Sequence, residues 1–496
     1  MTSAGQAIGA IVASEVLEAS GLTGTTEAQD GNATQAGLAE RSRQAVWHPC
    51  TQMAALAANP VVPIVAADGP WLIGEGGMRW FDGISSWWTC LLGHRHPDVV
   101  AALHQQLDTL DHVMLAGLTH EPAVLLAEAL VARTGGALPH VSFASDGSSA
   151  LEIALKQSAH AWQRRGLPDK HRFVCLADSY HGETLGALGV TDQGVFSRQY
   201  HSLLRGALVV EGPDNMRAAA AGWDSEEEAV RAAARLEELL TAQAAQVAAI
   251  VLEPLLQGAG GMRLYHPRFL REVRQICDRH QVHWIADEIA TGCGRTGTFF
   301  AVEQAGVWPD LICLSKGLSG GMLPLSVTLS SADLFAAFLG EQLTDGFLHS
   351  HSFSGNPLAC RAAVATLQVL QREDVLARIP QRASWIRQGM ADLPDHPGIS
   401  GWRQLGMVWA FEMRGGVAAA RAVQVEARQR GLWIRPLGAT VYLMPPFLLD
   451  EPTCRWLGAT LRQAVEAVGH GSVGGGGLAD VRTPPVAATP DEVRIA

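Results

Sequence analysis

Apolar residues recur along this chain in two alternating patterns. Between Pro97 and Leu110 they fall at Val99, Val100, Leu103, Leu107 and Leu110, a spacing that predicts an amphipathic helix. Pro122–Ala132, Ala150–Gln163 and Pro267–His280 read the same way; the last carries Phe269, Leu270, Val273 and Ile276 on one face. Between such stretches stand short, mostly apolar runs: Phe173–Ala177, Ala248–Glu253, His283–Asp287, Leu311–Leu314 and Leu325–Leu329. Runs of this length, with few polar positions, predict strands buried on both faces. Interleaved with helices, they predict an α/β fold with a mostly parallel sheet. Ligands in such sheets bind outside the carboxyl ends of the strands.

The flanks read differently. Val61–Ala66 and Trp71–Ile73 predict strands, with Gly74–Gly77 as a hairpin turn. From Pro357 a long helical stretch is expected to run to about Leu393. A mixed segment follows, ending in Gly431–Pro436 and Val441–Pro446. It is expected to form a second, smaller domain, packed with the N-terminal hairpin. The division expected is a flexible extension over 1–40, the N-terminal part of the small domain over 41–96, the large domain over 97–360, the rest of the small domain over 361–468 and a disordered tail over 469–496. The extension has no basic n-region, which argues against a signal peptide; a short helix is expected around Ile8–Leu17. The tail carries Gly474–Gly477 and Pro484-Pro485, a linker composition.

A formal net charge of -12 argues against a nucleic-acid partner. None of the 8 cysteines forms a CxxC pair, so neither a zinc site nor a disulfide framework is expected, and reduced cytoplasmic thiols fit best. His94-Arg95-His96 has no third or fourth ligand spaced for a metal.

Lysine is the informative rarity. Only Lys156, Lys170 and Lys316 occur, although lysine and arginine together number 37. Lys316 stands where the run Leu311–Leu314 opens into Gly317-Leu-Ser-Gly-Gly321. A primary amine can lose its proton and form a Schiff base; a guanidinium cannot. Asp287 ends another strand. Gly147-Ser148-Ser149 leads into a helix, whose free N–H groups suit a phosphate. Tyr180 follows a third strand and could stack on a flat ring. Each has a plainer reading: a snorkelling strand-end lysine, N-capping by Asp146 or a serine, a packing tyrosine. The spacing at Gly147 is not GxGxxG and no GxxxxGK[ST] occurs, so Rossmann and P-loop readings lose their main support. Taken together, the four features ask for one small molecule, pyridoxal 5'-phosphate.

The motifs Gly147–Lys156, Asp287–Gly297, Ser315–Gly321 and Ser354–Ala359 resemble those of the class III pyridoxal-phosphate aminotransferases. The resemblance covers about Val46 to Val468. It implies fold type I: a large domain with a mainly parallel seven-stranded sheet, a smaller α+β domain from both chain ends, and a homodimer with its active site at the subunit interface. Lys316 would carry the cofactor and Asp287 would bind its ring nitrogen. Gly147 and Ser148 would hold the phosphate, and Tyr180 would lie by the ring. Ser350, His351 and Ser352 fall in a segment that reaches the partner subunit's phosphate in this family.

Trp47–Met53, Asp82–Trp88, His112–His120, Glu253–Gly261, Ile285–Gly292 and Trp433–Pro436 point further, to the branch that aminates 8-amino-7-oxononanoate in biotin biosynthesis. S-adenosylmethionine is the common donor there. On that resemblance Trp87 and Trp88 shape an apolar substrate channel and Arg435 grips a distal carboxylate. Cys50 takes the substrate-recognising place of a tyrosine; Glu183 stands where the family has an aspartate and Leu437 where it often has a phenylalanine. Ala259 follows Gln257-Gly258 where glutamate-using relatives often have Glu. The alternative within the family is an ω-amino-acid or diamine aminotransferase.

Overall fold

The structure, a computed structural model, describes residues 37–57 and 59–470. The helix expected around Ile8–Leu17, the extension before Gly37 and the tail after His470 lie outside the described residues. The chain divides into two units, Met1–Pro63 and Ile64–Ala496. The first holds α1 (Leu38–Ala45) and a 3-10 turn over Met53–Ala57.

The second unit opens with an antiparallel meander of β1 (Ile64–Asp68), β2 (Trp71–Gly74) and β3 (Arg79–Asp82). The Gly74–Gly77 turn joins β2 to β3. Next come α2 (Pro97–Leu107), α3 (Glu121–Arg133), β4 (His140–Ala144), α4 (Gly147–Arg164), β5 (Arg172–Leu176) and β6 (Leu208–Val210). They are followed by α5 (Ser225–Gln243), β7 (Val247–Leu252), α6 (Arg268–His280), β8 (His283–Asp287), β9 (Leu311–Leu314) and β10 (Ser326–Ser330). Strands β4 to β10 form one seven-stranded sheet in the order β4-β10-β9-β8-β7-β5-β6. Only β10 runs against its neighbours. This is the mainly parallel sheet that the apolar runs predict.

Every residue of β7, β8 and β9 is buried, because helices cover both faces; hence the runs lack polar alternation. Helix α6 shows the complementary pattern. Phe269, Leu270, Val273, Ile276 and Cys277 face the core, three to four residues apart, as a helix lying on a sheet requires. Gln281, with φ 51°, ends it and returns the chain to β8.

The stretch expected to stay helical to Leu393 instead forms α7 (Pro357–Arg372) and α8 (Ile379–Met390). Asp374 takes φ 48° between them, and Pro380 stands in the first turn of α8. A left-handed residue and a proline both interrupt helical hydrogen bonding. An antiparallel sheet of β11 (Ile399–Leu405), β12 (Val408–Met413) and β14 (Thr440–Leu443) follows, with α9 (Gly416–Gln429), β13 (Leu432–Trp433) and α10 (Glu451–His470). Here β13 pairs in parallel with β3, Leu432 opposite Phe81. Trp456 of α10 lies 5.3 Å from Trp71 and 5.8 Å from Phe81, ring centre to ring centre. The early meander and the late chain therefore share one layer. Strand β6 escapes the sequence pattern because it is three residues long.

Ile250 of β7 is fully buried between paired strands β5 and β8. Ile250→Ala is expected to destabilise the protein by about 2–5 kcal/mol, the usual cost of such a cavity. A shift in the urea unfolding midpoint measures this, and a loss below about 1 kcal/mol would contradict the packing described.

Candidate active site

Strands β4, β5, β7, β8 and β9 all end at the same edge of the sheet, because the single antiparallel strand, β10, separates β4 from β9 without reversing either. The residues that follow those ends converge. Lys316, Asp287, Glu253, Gly147, Ser148 and Tyr180 are among the lining of one cavity of about 180 Å³.

Lys316 lies just past β9 with φ 44°, in a turn that continues to Ser319. The next residue has to be glycine: a Cβ on Gly317 would sit 2.5 Å from Leu91. The Lys316 amine faces the indole ring of Trp88 at 4.4 Å. Burial holds its pKa below the ordinary lysine value, while the Asp287 and Glu253 carboxylates act in the opposite sense. The side chain keeps some exposure, into the cavity.

Asp287 closes β8 and is buried. Its Oδ2 accepts from His181 Nδ1 at 2.7 Å and its Oδ1 from the Ile289 amide at 3.1 Å. Each oxygen keeps a lone pair. His181 is fixed by its own amide, which donates to Thr191 Oγ1 at 2.9 Å. Its Nε2 is buried without a partner among the described residues.

Glu253 follows β7. Its Oε1 accepts from the Gly258 amide at 3.0 Å, while Oε2 is buried without a partner among the described residues. Burial pushes this carboxyl up to about 7, against the pull of His181 and Lys316.

On the other side of the cavity, α4 begins at Gly147. Asp146 caps it: Oδ1 accepts from the Ser149 amide at 2.9 Å and Oδ2 from the Ser149 hydroxyl at 2.7 Å. The cap thus takes up Ser149 and leaves Gly147 and Ser148 facing the cavity. Ser148 Oγ accepts from the Glu183 amide at 3.3 Å. Gly182 packs so closely there that a Cβ would lie 2.1 Å from Ser148 Oγ. Tyr180 donates from its hydroxyl to Glu183 Oε1 at 2.9 Å and packs 5.2 Å from Phe196. Glu183 therefore anchors the tyrosine.

Trp87 and Trp88 come from a single turn, Ser85–Trp88, in which all four residues have positive φ (49°, 45°, 68° and 75°). None is glycine, so the turn costs roughly 1–2 kcal/mol per residue. Trp88 is buried and donates from Nε1 to the Tyr442 hydroxyl at 3.2 Å. Trp87 is half-exposed and stacks 5.0 Å from the guanidinium carbon of Arg435.

The remaining expected residues lie elsewhere. Arg435 does not line the Lys316 cavity; with Arg421, Gln424 and Val417 it borders a separate pocket of about 270 Å³. Ser350 and Ser352 are exposed and His351 is half-buried; His351 Nε2 lies 3.2 Å from His349 Nε2. None of the three lines the cavity. Cys50 belongs to the first unit, where it is exposed with φ 49°. His181 and Glu253 carry no expectation from sequence, although each follows a strand end that the sequence does reveal. Tyr442, the partner of Trp88, had one signal: it is one of only 4 tyrosines.

The donor set fits pyridoxal phosphate. A desolvated amine, a buried carboxylate with acceptor capacity left, a helix start with free N–H groups and an aromatic ring surround one space. Buried polar atoms on His181 and Glu253 there lack partners among the described residues.

Comparison with known proteins agrees. The family model for class-III aminotransferases matches residues 53–465. The chain is 34% identical over 445 residues to the adenosylmethionine-8-amino-7-oxononanoate aminotransferase of Geobacter sulfurreducens, covering 88% of this chain and 98% of that one. The crystal structure of the enzyme of that name from Methanocaldococcus jannaschii superposes with a TM-score of 0.81 at 29% identity, over 86% of this chain and 98% of the other. An amine transaminase from an uncultivated Pseudomonas species, solved in its PLP-bound form, superposes at 0.80 with 30% identity, over 85% and 97%.

The Glu253 carboxyl gives a pH test. Its folded pKa of about 7 stands above the ordinary glutamate value of 4.5. The raised value contributes stability that is fully present below pH 4.5 and is lost as the pH rises through 7. Glu253→Gln is therefore expected to gain on the parent by up to about 3 kcal/mol across that window. Urea midpoints of both proteins at several pH values measure this, and a constant difference would refute it.

Proposed function

The chain belongs to the class-III aminotransferases, and we propose that it transfers an amino group from S-adenosylmethionine to 8-amino-7-oxononanoate, giving 7,8-diaminononanoate for biotin synthesis. The observation that carries the reaction type is the Lys316 amine, desolvated beside Asp287 and Glu253 at one sheet edge. The relatives' names and the pair of tryptophans leading from Lys316 to Arg435 support the substrate.

Pyridoxal phosphate, when bound, supplies an aldehyde for amines and a ring that accepts the electron pair released when a C–H bond breaks. Lys316 would hold that aldehyde, and its free amine would move the proton at the substrate carbon. Its lowered pKa keeps a larger share of the amine unprotonated and able to accept that proton. Asp287, fixed by His181 and the Ile289 amide, retains a proton on the ring nitrogen. The amides at the start of α4 and the Ser148 hydroxyl bind the phosphate. Tyr180 flanks the ring, and Trp88 covers the Lys316 side and keeps water from the amine. Arg435, stacked on Trp87, receives the acceptor's terminal carboxylate through its forked donors. Donor and acceptor would occupy the same site in turn, the amino group staying with the enzyme between them, which gives ping-pong kinetics.

The enzyme acts as a homodimer in this reading. Leu339, Leu343, Leu348 and Phe353 are 61–79% exposed, and they flank Ser350, His351 and Ser352. An apolar surface of this kind is usually covered by a partner; a second copy would bring those three residues to the phosphate of its neighbour. The 8 cysteines are all free, in keeping with a cytoplasmic enzyme. Among the described residues no helix is long and apolar enough to cross a membrane.

Two measurements test this. Lys316→Ala is expected to lose the visible absorbance of the bound cofactor and at least about a thousandfold in turnover; a variant that kept both would sink the proposal. Arg435→Ala is expected to raise KM for 8-amino-7-oxononanoate by about 10- to 100-fold, the value of a charged hydrogen-bond pair, with little change on the donor side. Equal effects on donor and acceptor would remove Arg435 from carboxylate binding. A donor and acceptor panel that includes ω-amino acids and diamines separates this activity from others of the family.

A further inference from the structure

The Ser85–Trp88 turn is strained at every residue, yet its two tryptophans touch the two ends of the proposed substrate path. Trp88 lies 4.4 Å from the Lys316 amine and Trp87 lies 5.0 Å from the Arg435 guanidinium. Both ends of that path therefore meet side chains presented by one turn. A turn of four left-handed residues persists only where its surroundings over-determine it.

The surroundings are specific. Ser85 Oγ donates to the Met444 carbonyl at 2.7 Å. Ser86 Oγ donates to Asp82 Oδ2 at 2.6 Å, and the Ile84 amide to Asp82 Oδ1 at 3.4 Å. Asp82 is fully buried, and its Oδ2 also accepts from His94 Nε2 at 3.0 Å. The His94 amide donates to the Gly69 carbonyl at 2.6 Å, which ties the ring's backbone to the β1–β2 connection. On its other side, His94 Nδ1 faces Cys90 Sγ at 3.7 Å. Burial opposes the charge on His94, but Asp82 and Cys90 outweigh it and push the imidazole up to about 10. As an imidazolium it donates from both nitrogens, to Asp82 and to Cys90. Cys90 and Leu91 in turn fill the space over Gly321 and Gly317, the glycines of the Lys316 loop. One chain of contacts thus runs from Gly69 through His94 and Asp82 to the turn, and through Cys90 to the loop that carries Lys316.

We propose that Asp82 and His94 are positioning residues that hold the Ser85–Trp88 turn in its left-handed form and thereby select an acceptor whose amine and carboxylate ends span Lys316 and Arg435. This rests on the acceptor reading given above, in which those two residues take the two ends. Neither Asp82 nor His94 lines the Lys316 cavity, so their effect passes through the tryptophans. Loss of the clamp releases Ser86 and lets the turn relax toward right-handed backbone, which moves both indoles together.

The test uses the cofactor-loaded, full-length enzyme carrying His94→Gln, Asp82→Asn or Ser86→Ala. Two quantities are read: steady-state KM and kcat for donor and acceptor separately, and hydrogen exchange of the Trp88 indole N–H by NMR of nitrogen-15 tryptophan-labelled protein. The expected result for His94→Gln is a rise of about tenfold or more in acceptor KM, with kcat and the donor half-reaction within about threefold of the parent. The Trp88 indole exchange is expected to accelerate by about tenfold, as its bond to Tyr442 loosens. Unchanged indole exchange in the folded variants overturns the clamp. Accelerated exchange with an unaltered acceptor KM, or with equal losses for donor and acceptor, overturns the selecting role. If Asp82→Asn does not fold, His94→Gln and Ser86→Ala decide the matter. A parent enzyme that fails to use 8-amino-7-oxononanoate defeats the acceptor reading alone, because indole exchange still reports whether Asp82 and His94 hold the turn.

Discussion

Parallel pairing of β8 with β7 and β9 is the constraint from which the site follows. Parallel neighbours end at the same edge, so Glu253, Asp287 and Lys316 are delivered together although 34 or 29 residues of chain separate each from the next. The intervening helices keep both faces of the sheet dry, and that dryness sets the chemistry. An amine and two carboxylates kept from water respond to each other far more strongly than they would at a surface. Lys316 is lowered and Glu253 raised by the same lack of solvent. The sheet therefore does more than support the site; it creates the low-dielectric setting in which a lysine can act as a nucleophile.

A second layer of control comes from hydrogen bonds. His181 and the Ile289 amide orient Asp287; Glu183 anchors Tyr180 and donates from its backbone to Ser148; Asp146 commits Ser149 to a cap. Each of these fixes or frees a residue that lines the cavity, and each is made by a neighbour that follows a strand end. The exception is the tryptophan turn, whose supports come from Asp82, His94, Tyr442 and Met444. Chain segments about 350 residues apart cooperate to shape it.

Sequence reading reached the strands of the sheet because full burial leaves a plain mark, a mostly apolar run. It reached Lys316 because lysine is scarce here, and Asp287, Gly147 and Tyr180 because strand ends and a helix start could be placed. It did not reach the pairing of His181 with Asp287, which joins residues 106 apart and leaves no local trace. Nor could it find the left-handed turn. Ser85-Ser86-Trp87-Trp88 contains no residue that favours positive φ, so local preference points the wrong way and only tertiary contacts enforce the geometry. The break after α7 was half-announced: Pro380 marks a new helix start, but the left-handed Asp374 before it leaves no such signal.

The parallel pairing of β13 with β3 has a consequence for how the chain reaches this state. Phe81 meets Leu432, and Trp80 Nε1 donates to the Arg428 carbonyl, 348 residues later. On a ribosome adding about 5–20 residues per second, β3 waits roughly 20–70 s for its partner. Through that interval its free edge and the Trp71 and Phe81 rings have nothing of their own layer to cover them, the condition under which nascent sheets stick to other chains. The fourth strand of this layer becomes available only after the whole parallel sheet has been synthesised, so β3 is exposed to other chains for longer than any strand of that sheet.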